Sequence, residues 1–349
     1  MTVDERFALV RSIGEECIQE EELRVLLDKK PEIFAYDGFE PSGRMHIAQG
    51  VLKSINVNKL TSAGVTFKFW IADWFAQLNN KMGGDLKKIK LVGEYMIEVW
   101  KAVGMDLSKV QFLWASEEIN ARSEEYWTLV MDIAIKNNLK RIIRCSQIMG
   151  RNDTDDLSAA QIFYPCMQAA DIFFLKADIC QLGLDQRKVN MLAREYCDDC
   201  KPKRKFKPVI LSHRMMPGLK QGQEKMSKSD PESAIFMEDS EQEVKTKIKK
   251  AFCEPMVIEN NPCIEYTEHI VLPYLGEFTV SKKDAEPTTY TDAAKLKEDY
   301  TSGALHPSDL KPALAEAINK ILQPVRAHFE NDPHAKELLK KVKALKVTR

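Results

Sequence analysis

The sequence predicts an α/β protein: a doubly wound parallel sheet followed by a smaller all-helical domain. Three observations carry that expectation. Short β-branched and aromatic runs alternate with helical stretches at the spacing of strand–helix–strand crossovers. Helical periodicity takes over after residue 240. A stretch rich in glycine, lysine and serine stands just before that change.

Taken in order, Phe7, Val10 and Ile13, then Leu23, Leu26 and Leu27, recur among acidic residues and predict two amphipathic helices over residues 4–30. Gly38, Pro41 and Gly43 punctuate a turn, with a helix expected over residues 45–60. Residues 66–72 read as a buried strand, 87–103 as a helix and 110–114 as a second strand. Helical material over about 116–158, carrying Lys136, Lys140, Arg141 and Arg144, interrupts the alternation and reads as an insertion between the halves of the sheet. A third strand is expected over 207–212. Beyond a boundary at 232–240, helices are predicted over 241–252, 309–331 and 333–346, with no strand. The expected division is a domain over 1–235 and a helical domain over 236–349, with no further module after it.

Composition narrows the function classes. Of 349 residues, 30% are charged and 44% hydrophobic, an ordinary soluble balance. The net charge of −1 provides no global basic field, so any nucleic-acid contact must come from local patches. The acidic start, Met1-Thr-Val-Asp-Glu-Arg, reads neither as a secretory leader nor as a transit peptide, and no apolar run is long enough to span a membrane. Eight scattered cysteines fit a reducing, cytoplasmic location. The Cys197/Cys200 pair has no second pair beside it, so no structural zinc is expected.

Three stretches carry chemistry. Residues 222–231 read Gly-Gln-Glu-Lys-Met-Ser-Lys-Ser-Asp-Pro. Gly218 and Gly222 allow a mobile loop, and Lys225, Lys228, Ser227 and Ser229 suit polyphosphate oxygens. A Lys-rich loop alone is equally a solvated turn. Upstream, the Gly43 turn leads into a helix start whose free N–H groups face an anion, with His46 as a further donor or a simple capping residue. Pro165 suits a first helical position with Tyr164 as cap. Tyr164, Gln168 and Asp171 then share one face of an otherwise apolar, buried helix. Such a polar stripe needs partners, either an internal hydrogen-bond network or a ligand.

The string Lys-Met-Ser-Lys-Ser at 225–229 resembles the signature loop of class I aminoacyl-tRNA synthetases. Residues 41–49 resemble their other signature, His-Ile-Gly-His, with Ala48 and Gln49 in place of the glycine and second histidine. The polar stripe is similar to the tyrosine-binding helix of tyrosyl-tRNA synthetases of the archaeal and eukaryotic kind. The resemblance implies a Rossmann-like catalytic domain, tyrosine, ATP with Mg²⁺ and tRNA(Tyr) as substrates, no protein-bound metal, and a homodimer formed through the insertion. By it, Tyr36 and Asp171 would bond the substrate phenol. Tyr164, Gln168 and Gln186 would hold the ammonium and carboxylate, with Gly38 and Glu40 in the same pocket. ATP would meet Gly43, His46, Gln49, Asp185 and the loop residues Lys225, Met226, Ser227, Lys228 and Ser229. Of these, His46, Lys225 and Lys228 would be catalytic, stabilising the departing pyrophosphate. Leu182 replaces the first of two glycines usual in the family's 182–187 segment.

For tRNA, Arg187 and Lys188 adjoin the expected tyrosine site and are candidates for the acceptor end, and the resemblance implies His306 and Asp309 at the first anticodon base, Asp309 being alternatively a helix N-cap. The insertion's cations, the run 201–207 and the tail 336–349 are basic patches that meet tRNA or solvent. Two other readings stand beside this one: the sister enzyme for tryptophan, and a non-catalytic RNA-binding relative. An indole N–H cannot accept a hydrogen bond, so an Asp-plus-Tyr pair favours a phenol.

Overall fold

The computed structural model describes residues 1–149, 158–204, 206–226, 230–281 and 286–345. Six strands assemble into one sheet: Glu16–Ile18 (β1), Ile33–Phe39 (β2), Val65–Ile71 (β3), Val110–Trp114 (β4), Ile179–Cys180 (β5) and Val209–Ser212 (β6). Their order is β1-β6-β5-β2-β3-β4, all parallel except β1, which runs antiparallel to β6. From β2 the chain winds outward through β3 and β4, then returns to the other side through β5 and β6. The order therefore reverses between β2 and β5, and a crevice opens at their carboxyl ends, where doubly wound sheets take ligands.

The strands expected over 66–72, 110–114 and 207–212 are β3, β4 and β6. β2 is a difference: Gly38 lies within a strand paired with Trp70, not in a turn. Both faces of β2 are covered, with Ile33, Ala35, Tyr36, Asp37 and Phe39 all buried, so the alternation that marks a half-exposed strand is missing. β1 and β5 have three and two residues, too few for any period to show. The helix expected over 45–60 is a π-turn, Ala48–Leu52, running into the α-helix Lys53–Ser62.

Between β4 and β5 the chain forms helices Ala115–Ala121, Ser123–Lys136 and Leu139–Cys145 before the crossover helix Ala160–Phe174. That last helix begins five residues before Pro165, so Tyr164 lies inside it and is not its cap. Pro165 has no N–H to give the Gln161 carbonyl, yet the helix continues because its remaining faces are packed. The shared face of Tyr164, Gln168 and Asp171 is retained.

After residue 240, Glu241–Lys250 opens on a Ser240/Glu243 capping box and packs against Pro307–Asn331. The helix Pro333–Ala344 folds back onto Leu86–Ala102. Beside that contact, His328 Nε2 lies 2.8 Å from Glu98 Oε2. One strand pair departs from the helical expectation: Phe278–Val280 (β7) and Thr288–Tyr290 (β8) form an antiparallel hairpin. Each has three residues, and burial of Phe278, Val280 and Tyr290 on the neighbouring helices holds them. One hydrophobic cluster runs from Val10 to Val342, while a second lies around the crossover helix and includes Tyr36, Trp70, Tyr126 and Phe174. No helix among the described residues is long and apolar enough to cross a membrane.

Candidate active site

A cavity of about 630 Å³ opens at the carboxyl ends of β2 and β5. Its wall brings together Tyr36, Gly38, Glu40, His46, Gln49, Tyr164, Gln168, Asp171, Asp185, Gln186, Lys225 and Met226. These come from β2, the turn after it, the crossover helix, the turn after β5 and the lysine loop, stretches far apart in sequence.

The apolar end is built around Asp171, which is 1% exposed. The Tyr126 hydroxyl donates to Asp171 Oδ1 at 2.9 Å, and the Trp70 indole N–H stands near the same carboxylate, short of a full hydrogen bond. Burial holds the Asp171 carboxyl well above its ordinary range, with Tyr126 and Trp70 pulling the other way. Tyr36, also 1% exposed, keeps a hydroxyl with no partner among the described residues. A buried, unpartnered phenol beside a buried carboxyl is costly unless a ligand completes the set.

Further along the crossover helix the polar stripe is knitted together. The Tyr164 hydroxyl donates to Glu40, which also accepts from Asn79 Nδ2 at 3.0 and 3.1 Å. Phe75 packs edge-on to the Tyr164 ring at 5.1 Å. Gln168 Nε2 donates to Gln186 Oε1 at 3.0 Å, joining the helix to the turn after β5. A carboxylate, two amides and a phenol thus face one small volume, a set suited to an ammonium and a carboxylate.

After β2, the Gly43 turn has φ +121°, open to glycine and strained for other residues. The segment after the lysine loop pins it: Ile47 N donates to Ile235 O at 2.8 Å and Met237 N to Met45 O at 2.9 Å. Arg44 adds ion pairs to Glu238 and, at 2.8 Å, to Asp239. The first signature stretch is therefore fixed through backbone to the segment that follows the lysine loop. Lys220 closes the base of the loop on Asp230 at 2.6 Å, and Lys225 and Met226 reach the cavity wall. Ser227, Lys228 and Ser229 lie outside the described residues. Gly43 supports the turn without lining the cavity itself.

The cavity also uses residues that sequence reasoning missed: Asp37, Lys53, Trp70 and His213 in its wall, and Tyr126 behind Asp171. Lys53 Nζ lies 2.5 Å from Asp37 Oδ2, an ion pair with both side chains nearly inaccessible. Burial raises the Asp37 carboxyl to about 6, opposed by Lys53, and lowers the Lys53 ammonium. A buried charge in each stretch was the available signal, but nothing in the sequence pairs positions 37 and 53.

The residues expected at tRNA lie apart from the cavity lining. Arg187 Nε is held by Glu16 at 2.8 and 3.0 Å. His306, and not Asp309, caps the helix Pro307–Asn331, accepting from Ser308 N at 3.2 Å. Asp309 occupies the first turn. In the insertion, Lys136 pairs with Asp132, and Arg141 with Glu195 at 3.0 Å. Cys197 and Cys200 donate their thiols to backbone carbonyls at 3.4 and 3.5 Å.

Residues 28–323 match the family model described as tRNA synthetases class I (W and Y). The chain is 68% identical over 349 residues to "Tyrosine--tRNA ligase 1, cytoplasmic" of Arabidopsis thaliana, covering 99% of this chain and 90% of that one. Among solved structures, Leishmania major tyrosyl-tRNA synthetase in complex with tyrosinol superposes with a TM-score of 0.94 at 54% identity, over 99% of this chain and 61% of that one. Tyrosyl-tRNA synthetase complexed with L-tyrosine from Pyrococcus horikoshii gives a TM-score of 0.90 at 34% identity, over 98% of this chain and 100% of that one. The chain thus spans most of some relatives and under two thirds of others. Matched over most of its length to that family, and closely similar to a relative along nearly all of it, the protein belongs to the class I tRNA synthetases (W and Y).

Proposed function

We propose that this chain ligates L-tyrosine to tRNA(Tyr) in two steps, through tyrosyl-adenylate formed from ATP, in the cytoplasm. The observation that carries the choice of amino acid is the buried Tyr36 hydroxyl left without a partner beside Asp171. A phenol donates to one of these groups and accepts from the other, whereas an indole N–H leaves Tyr36 unanswered. The tryptophan alternative is therefore disfavoured, and the names of the similar proteins point the same way.

In this reading Tyr164, Gln168 and Gln186 hold the ammonium and carboxylate, with Gly38 and Glu40 shaping the same pocket. The carboxylate attacks the α-phosphorus of Mg²⁺-bound ATP, and pyrophosphate leaves. No side-chain base is needed at that step; position and charge neutralisation decide the rate. Gly43, His46, Gln49 and Asp185 receive the nucleotide, while Lys225, Met226 and the sequence-expected Ser227, Lys228 and Ser229 close on its phosphates. A terminal ribose hydroxyl of tRNA then takes the tyrosyl group. Residues 1–235 form the catalytic domain and 236–349 the anticodon-binding domain, with Arg187, His306 and Asp309 meeting tRNA.

A second copy of the chain completes the assembly. Met131, Ile135 and Leu139 on the insertion are 57%, 83% and 56% exposed, an apolar stripe that an identical surface would cover. Charging of a tRNA(Tyr) transcript with labelled tyrosine, tryptophan or phenylalanine tests the reading. Charging by tyrosine alone is expected; charging by tryptophan, or by none, would reject it.

A further inference from the structure

Beneath the cavity floor a buried polar chain runs from β2 to the end of β6. Lys53, the first residue of its helix, directs its three ammonium protons to Asp37 Oδ2 at 2.5 Å, Gln181 O at 3.0 Å and Gln181 Oε1 at 2.6 Å. Gln181 is fully buried and in turn places Nε2 2.8 Å from His213 Nδ1.

Chemistry fixes every role along this chain. An ammonium only donates, so the Gln181 atom facing Lys53 is its carbonyl oxygen. The amide nitrogen then faces His213 and donates, which makes Nδ1 the acceptor and leaves the ring proton on Nε2. Burial and the nearby Lys53 charge hold the His213 pKa well below its ordinary value, so the ring is neutral. Among the described residues nothing accepts from Nε2. Yet His213 lines the cavity, and a β-carbon built on Gly183 would lie 3.7 Å from His213 Nε2 and 2.6 Å from Asp185 Oδ1. The imidazole edge, the Gly183 backbone and the Asp185 carboxylate therefore meet at one point of the wall. The backbone holds that edge in place: His213 N donates to Leu182 O at 2.9 Å and Leu184 N to His213 O at 3.2 Å.

We propose that His213 is a further substrate-binding residue, fixed by Asp37, Lys53 and Gln181 as the Nε2–H tautomer and donating that proton to a ribose or phosphate oxygen of the bound nucleotide. Lys53, Asp37 and Gln181 are positioning residues, since their polar atoms are engaged with one another. The inference rests on the ATP-dependent activation proposed above. It assigns to that site a neutral donor close to Gly183 and Asp185.

The test uses the full chain labelled with ¹⁵N-histidine, in which six histidines give signals and His213→Gln identifies the one of interest. Long-range ¹H–¹⁵N correlation should show the Nε2–H tautomer in the wild type, and a mixture of tautomers in Lys53→Met. In tyrosine-dependent ATP–pyrophosphate exchange, His213→Leu should raise the ATP KM about tenfold with the tyrosine KM held within about twofold. His213→Gln, which keeps an N–H donor, should recover most of the loss. An Nδ1–H tautomer or an imidazolium in the wild type at neutral pH would overturn the proposal. So would an unchanged ATP KM in His213→Leu, or equal losses for both substrates. Absence of exchange in the wild type would instead overturn the functional reading and the nucleotide contact with it; the tautomer, read without substrate, separates the two failures.

Discussion

The Tyr126 hydroxyl lies 2.9 Å from Asp171 Oδ1, tying the helical insertion to the cavity wall. Tyr126 sits on Ser123–Lys136 and Asp171 on Ala160–Phe174, two helices packed side by side. One carboxylate oxygen is thereby engaged from behind, and in the proposed reading the same carboxyl meets the tyrosine phenol.

Tyr126→Phe should therefore raise the tyrosine KM about tenfold, the scale of one buried hydrogen bond, with the ATP KM unchanged. Steady-state exchange kinetics measure both constants. Equal increases in the two would show that Tyr126 acts through general packing and not through Asp171.

Much of the fold was legible because β3 and β4 carry clear aromatic and β-branched runs and the helices between them are long. β2 was hidden: a strand covered on both faces loses its alternation, and Gly38 with Pro41 imitates a turn. Of the signature stretches, His46, Gln49, Lys225 and Met226 line the cavity, and glycine turns and lysines in a loop have a local chemical meaning that a sequence displays. Tyr126, Lys53 and His213 stayed silent because each acquires its role only from a partner distant in sequence, at positions 171, 37 and 181. Tyr164 was placed on the correct face with the wrong helix start, since a proline is accepted mid-helix when the rest of the helix is packed.

Lys225 lines the same cavity as Asp171, and the proposed reading gives it the phosphates. Lys225→Ala should slow adenylate formation about 10²-fold while leaving tyrosine affinity unchanged, because the charge it neutralises develops on the leaving pyrophosphate. Single-turnover activation and equilibrium dialysis with tyrosine separate the two effects. A parallel loss in both would remove Lys225 from that role.

Asp37 links stability to pH. Its folded value of about 6 lies above the 3.8 of a free carboxyl, so between those values the folded state binds more protons than the unfolded one. Its stabilising contribution is complete below 3.8 and is lost as the pH rises through about 6. Thermal melts of wild type and Asp37→Asn across this window should show the wild type losing ground steadily to the variant. A difference independent of pH would contradict the assignment.

The stripe of Met131, Ile135 and Leu139 predicts self-association. Ile135→Asp places a charge at its most exposed position and should shift the chain from dimer to monomer in light scattering at micromolar concentration. Identical masses for both proteins would leave the stripe without a partner of its own kind.

In the proposed reading the pocket between Tyr36 and Asp171 selects a phenol for activation by ATP. ATP–pyrophosphate exchange with each of the twenty amino acids tests it most directly. Tyrosine alone should support exchange, with phenylalanine at background because it leaves the buried Tyr36 hydroxyl unpaired. Exchange with tryptophan, or with no amino acid at all, would contradict it.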